Sequence, residues 1–125
     1  MKIAMTLIAL CFAVSACSKN EVQSSEAVAS LSARESTFTI ATDPKGIYVV
    51  LEKGGEGNER TILTKREGPS GTTFSKRLYN CAENTVKYLG TGDTMEAMAA
   101  SPADPTMAPI TNSSIAYYLG QKACA

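Results

Sequence analysis

The sequence contains no histidine and no tryptophan, and aromatic residues make up only 6% of it. The missing histidine excludes Ser-His-Asp triads, Cys-His dyads and imidazole-based metal sites. The missing tryptophan and scarce aromatics leave a thin core, of the kind that usually needs a covalent staple. Neither sign of charge dominates, since twelve Lys and Arg stand against twelve Asp and Glu. A balanced chain argues against nucleic acid as a partner, which calls for a clustered basic surface. No apolar run is long enough to span a bilayer. The longest, residues 3–14, holds about a dozen residues where a spanning helix needs roughly twenty.

That short run suits a signal peptide. Met1-Lys2 is a brief basic start, residues 3–14 are the apolar stretch, and Val14-Ser15-Ala16-Cys17 closes it. The last four residues resemble the lipobox of bacterial lipoprotein signal peptides: an aliphatic residue, two small ones, then cysteine. The resemblance implies cleavage before Cys17, acylation of Cys17 (palmitate among the chains), and attachment to the cell envelope through lipid. Ser18 stands where inner-membrane lipoproteins often carry aspartate, so the expected address is the outer membrane.

Four cysteines are present. Cys11 falls in the signal and Cys17 carries the lipid, so Cys81 and Cys124 remain. In an oxidising compartment their simplest fate is one disulfide. It closes a loop of about 43 residues, worth roughly 3–4 kcal/mol in the chain-entropy model. The alternative is a pair of free thiols, disfavoured because neither a CxxC motif nor a histidine is there to lower a thiol pKa.

Three segments follow from composition. Residues 1–16 are the signal peptide. Residues 17–35 are the lipidated cysteine and a Ser-, Ala- and Glu-rich tether too polar to bury a core, with a weak helix possible over 26–34. Residues 36–125 form one small α+β domain. Within it, alternation predicts strands over 37–41, 47–53, 60–67, 72–81 and 85–89, with turns at 43–46, 54–58, 68–71 and 81–84. These make a four- to five-stranded antiparallel meander. Met95, Met98 and Ala99 then recur at helical spacing behind Asp93 or Thr94 as N-cap. Residues 101–109 hold three prolines and read as a loop. Asn112 or Ser113 caps a last helix through Lys122, with Ile115, Tyr118 and Leu119 as its apolar stripe. Cys124 lies just past that helix, and bonding to Cys81 clamps the helix onto the sheet.

Lys65-Arg66-Glu67-Gly68-Pro69-Ser70-Gly71-Thr72, Tyr79-Asn80-Cys81, Val86-Lys87-Tyr88-Leu89-Gly90, Ser114-Ile115-Ala116-Tyr117 and Ala123-Cys124 together resemble small exported proteobacterial proteins near the surface-adhesin protein E family. The resemblance spans residues 47–124. It implies a one-disulfide α+β domain and, by analogy, a surface lipoprotein that binds host extracellular proteins. No binding motif of that family carries over residue by residue.

Candidate chemistry is sparse, and neither a cofactor nor a metal is expected. Ser75-Lys76 resembles a Ser-Lys pair, but adjacent strand residues point to opposite faces. Glu52, Glu56 and Glu59 surround a glycine-rich hairpin without calcium-loop spacing. Lys65, Arg77 and Lys87 lie on three successive strands and form a basic binding stripe if register places them on one face. Otherwise they are ordinary solvated residues. Met95, Met98 and Met107 suit core gaps better than a binding surface. Of Tyr117 and Tyr118 only one fits the buried stripe, which leaves the other as a contact residue. Asn112-Ser113-Ser114 matches a glycosylation acceptor, accidental in a bacterial lipoprotein. The expected function is that of a non-enzymatic envelope lipoprotein whose domain binds a macromolecular partner. The alternative is a structural or accessory subunit of an envelope assembly, joined through a sheet edge. A small hydrolase is disfavoured.

The anchor is directly testable. One acyl chain holds marginally and two or three hold firmly, at about 0.8 kcal/mol per buried methylene. Cys17→Ser, expressed in the native host, should lose acyl label and leave the membrane fraction. A variant recovered fully lipidated and membrane-bound would refute the anchor.

Overall fold

The computed structural model describes residues 36–125. Their backbone forms one antiparallel sheet whose strands lie side by side in chain order. These are β1 (Thr37–Ile40), β2 (Asp43–Glu56), β3 (Glu59–Gly68), β4 (Gly71–Asn80), β5 (Thr85–Gly92) and β6 (Ala108–Pro109). Helix α1 (Met95–Ala100) lies between β5 and β6, and α2 (Ile115–Cys124) follows β6. The architecture is the expected α+β meander, with one strand more than the alternation suggested. That strand is two residues of the proline loop. Ala108 and Pro109 pair with Val86 and Thr85, and an edge position tolerates a proline that cannot donate to a ladder.

Two turns differ from expectation. Residues 43–46 read as a turn, yet β2 already begins at Asp43, which pairs with Ile40. The turn is Ala41-Thr42, because the Asp43 carboxylate binds Tyr48 along β2 and Arg66 on β3 instead of capping its own loop. The glycine-rich hairpin is also tighter than expected. Pairing runs through Gly54 and Gly55 to Glu56 opposite Glu59, leaving Gly57-Asn58 as the turn. Gly57 sits at φ +57°, a left-handed conformation that glycine adopts without steric cost.

The two faces of the sheet differ. One carries Tyr48, Ile62 and Tyr79, which pack with Ile40 and with Leu119 and Ala123 of α2 into the main core. On the other face Leu63 opposes Lys76, which opposes Gly90. There α1 approaches closely, since a Cβ on Gly90 would meet the Met98 carbonyl oxygen at 2.3 Å. Met98 is the buried residue of α1. The Thr94 hydroxyl caps this helix by accepting from the Ala97 N–H at 3.0 Å, one of the two caps the sequence suggested.

The cap of α2 is neither Asn112 nor Ser113 but Ser114. Ser113 lies at φ +63°, so it completes the preceding turn. Ser114 has the extended backbone an N-cap requires, and its hydroxyl accepts from the Tyr117 N–H at 3.1 Å. The helix then continues past Lys122 to Cys124.

Tyr79 seats this helix. It is fully buried, a contribution of roughly 1.5–3 kcal/mol for a large apolar side chain. Its hydroxyl donates to the Ala116 carbonyl at 2.9 Å. Its ring lies so near the helix backbone that a Cβ on Gly120 would come within 2.9 Å of Cε1. Burial pushes the Tyr79 phenol up to about 12, against a smaller opposing pull from Arg77. The phenol therefore remains a donor across the physiological range.

Cys81, one residue after β4, is disulfide-bonded to Cys124 with Cα atoms 5.9 Å apart, a normal separation for a bridge. The clamp of the terminal helix onto the sheet is thus as the sequence implied. A ten-residue helix is marginal by itself. Reduction or Cys124→Ser should lower stability by about 2–4 kcal/mol, and limited proteolysis should then cut α2 first. A reduced protein with unchanged unfolding midpoint and cleavage pattern would contradict this.

Candidate functional site

The lipobox, the tether and its weak helix lie outside the described residues. The basic stripe lies within them, and register divides it. β3 and β4 are joined by Pro69-Ser70 between paired Gly68 and Gly71, which sets Lys65 opposite Phe74 and Arg77 opposite Ile62. Lys87 opposes Leu78. Lys65 and Lys87 therefore share the face of Leu63 and Leu78, while Arg77 lies on the core face. The proposed three-residue stripe does not form. A two-residue hairpin loop fixes the parity of pairing, and that was the signal in the sequence that could have separated Lys65 from Arg77. On the outer face Lys65 pairs with Glu67 at 2.5 Å and Lys76 with Glu52 at 3.3 Å. These are exposed pairs of small energetic worth.

Arg77 occupies an unusual position instead. It is 5% exposed, and none of the ion pairs among the described residues includes it. Its guanidinium carbon stands 4.5 Å from the centroid of the Tyr88 ring, and Nη2 donates to the Tyr88 hydroxyl at 2.8 Å. Nε and Nη1 are buried without a hydrogen-bond partner among the described residues. Thr64, Ser75 and Arg77 are the buried polar residues of the described chain, and they sit together. Thr64 and Ser75 are a cross-strand pair, and Arg77 is two residues along β4 on the same face. Tyr88, stacked on Arg77, is 38% exposed. Its backbone is held by Asp104, whose N–H donates to the Tyr88 carbonyl at 2.8 Å and whose carboxylate accepts from the Tyr88 N–H at 3.0 Å.

A second feature is a groove of about 150 Å³ beside the disulfide. Tyr79, Ile110 and Gly120 line it together with Tyr117, and the amides of Asn80, Asn84 and Gln121 also line it. The two adjacent tyrosines of α2 therefore divide their roles. Tyr118 packs against the core, and Tyr117 faces the groove, edge-on to Tyr118 with ring centroids 5.4 Å apart. The groove is partly apolar with amide donors and acceptors around it, the usual make-up of a recognition pocket.

The remaining candidates are dispersed. Ser75 is buried, whereas Lys76 reaches Glu52 on the opposite face. Glu56 and Glu59 oppose each other across the hairpin. Among the described residues no cluster of His, Cys, Asp and Glu is arranged to hold a metal ion, and no helix is long and apolar enough to cross a membrane. No protein-family model, no curated protein and no solved structure matches the chain.

One titratable cluster is well defined. Asp43 accepts from Arg66 through both oxygens, at 2.6 Å from Nε and 2.9 Å from Nη2, and from the Tyr48 hydroxyl at 2.5 Å. A forked Arg–carboxylate pair of this kind is geometrically demanding, and it ties the start of β2 to the end of β3. The Arg66 hydrogen bonds and then that of Tyr48 lower the Asp43 carboxyl from 3.8 to about 2. Burial first, then the bond to Asp43, raises the Tyr48 phenol. Because the folded carboxyl is the stronger acid, its contribution is complete above about pH 4 and disappears as pH falls through about 2. Stability of the wild type should therefore decline across that window. Asp43→Asn should be less stable at neutral pH and should lose this part of the acid dependence. Parallel acid titration curves for the two proteins would refute the assignment.

Proposed function

We propose that this chain is a lipid-anchored envelope protein whose disulfide-clamped domain binds a macromolecular partner and catalyses no reaction. The observation that carries this reading is the groove along α2. Its volume of about 150 Å³ suits one or two side chains of a partner. Its lining of tyrosines, asparagines and a glutamine offers stacking and hydrogen bonds without an acid–base pair. Tyrosine at the rim of a small desolvated pocket is a common energetic anchor of protein interfaces. The Cys81–Cys124 bond supports export to an oxidising compartment, in keeping with the lipobox resemblance and an outer-membrane address. Binding of host extracellular proteins, as in the surface-adhesin protein E family, is the specific form this reading takes.

One observation favours a second reading, that of an assembly subunit. β1 pairs with β2 only between Asp43 and Val49. The outer edge of β2 beyond Val49 has no strand partner among the described residues, and a strand from a neighbouring protein fits there.

A photo-crosslinking residue placed at Gln121, within the groove, and another at Glu52, on β2, separate the two. The lipidated protein is crosslinked in intact envelopes and each adduct is identified. Binding to the purified partner should fall at least tenfold with Tyr117→Ala, equivalent to about 1.4 kcal/mol. Crosslinking from Glu52 alone would replace the groove by the edge. Absence of an adduct at both positions would overturn partner binding.

A further inference from the structure

We infer that Arg77 is a binding site for a carboxylate, closed in this structure by the side chain of Tyr88. A buried guanidinium without an anion is costly, and two unpartnered nitrogens add to that cost. A methionine or leucine of similar size would suit the same place on the sheet without either cost. The arrangement at Arg77 accounts for its presence.

A guanidinium offers two forks to a carboxylate, Nε with Nη2 and Nη1 with Nη2. Nη2 belongs to both. It is the nitrogen that Tyr88 occupies, through a hydroxyl oxygen accepting at 2.8 Å. The other member of each fork, Nε in one and Nη1 in the other, has no partner among the described residues. The tyrosine oxygen thus stands where one carboxylate oxygen would bind. Outward rotation of the ring completes a fork on either edge. Tyr88 is suited to this movement. Its main chain is fixed at both N–H and C=O by Asp104, so its side chain can turn without disturbing β5. Its ring is already partly in solvent. Thr64 and Ser75 are buried polar neighbours of Arg77 on the same face of the sheet.

One cation matches one negative charge. A carboxylate brings one, whereas a phosphate monoester brings about −1.5 to −2. The carboxylate belongs either to a small organic acid or to an acidic residue of a protein. The same fork receives both.

The test follows the side-chain Nε–H resonance of Arg77 in the full chain, held in detergent, during titration with propionate and with a blocked glutamate-containing peptide. A saturable shift with propionate, matched by the peptide at similar concentration, assigns a small acid. Saturation by the peptide at tenfold lower concentration or less assigns a protein carboxylate. An open form populated at about 10% or less weakens apparent affinity at least tenfold, so Tyr88→Ala should tighten binding by about that factor. Arg77→Met should abolish any carboxylate-dependent rise in melting temperature while melting no lower than wild type without ligand. The proposal is overturned if neither titrant moves the resonance in wild type or in Tyr88→Ala. It is equally overturned if Arg77→Met unfolds at lower temperature and carboxylates leave the wild-type melt unchanged, because Arg77 then serves the fold alone.

Discussion

The fold depends on how one helix is seated on one tyrosine. A chain without tryptophan has few large side chains to bury, and the sheet alone presents a single broad apolar row around Tyr48, Ile62 and Tyr79. Helix α2 closes that row. The Tyr79 ring lies against Gly120, its hydroxyl holds the Ala116 carbonyl, and Leu119 and Ala123 fill the space beside it. A larger residue at 120 would lift the helix from the ring. The disulfide acts on the same seat from the far end of α2. It helps to hold in place a helix whose ten residues would be marginal in isolation.

The groove is a by-product of that seating. The helix meets β4 closely at Tyr79 and is bonded through Cys124 to the first residue of the turn after it, and Asn80, Asn84 and Ile110 line the groove beside them. The core and the groove therefore share residues. Tyr79 supports the core with one part of its ring and lines the groove with another. The disulfide that fixes the helix also forms part of the groove lining. Any molecule bound there would stabilise the docked helix, because it would bind the folded form and not the unfolded one.

Much of this was legible from alternation and turn chemistry. The strands around Ile47–Lys53, Arg60–Glu67 and Thr72–Cys81 followed from their side-chain pattern, and the Cys81–Cys124 pairing followed from elimination. What escaped was relational. The faces of Lys65 and Arg77 depend on the parity set by the Pro69-Ser70 loop. The placement of Lys87 depends on the four residues between Asn80 and Thr85. A bulge between Lys76 and Arg77 then shifts the pairing of β4 with β5, and no residue type there announces it. The sequence presents Arg77 as an exposed charge, beside Lys65 and Lys87 in a basic stripe or as a solvated residue, because arginine is mostly exposed. Only the register brings it beneath Tyr88. The groove escaped for a similar reason, since its walls come from residues some forty positions apart.

The strand order has a kinetic consequence. Every sheet pairing joins neighbours in sequence, five times in succession, and four of these connections are hairpins. Such a sheet has low contact order and can zip from any hairpin outward. Docking of α2 on β3 and β4 is the exception, since it must close a long loop before it gains anything. Assembly thus separates into a quick, local phase that lays down the sheet and a slower search that brings the last helix home. In the interval Ile62, Tyr48 and Tyr79 stand open to water. That transient apolar face, not the finished surface, is where a chain of this design is most exposed to aggregation.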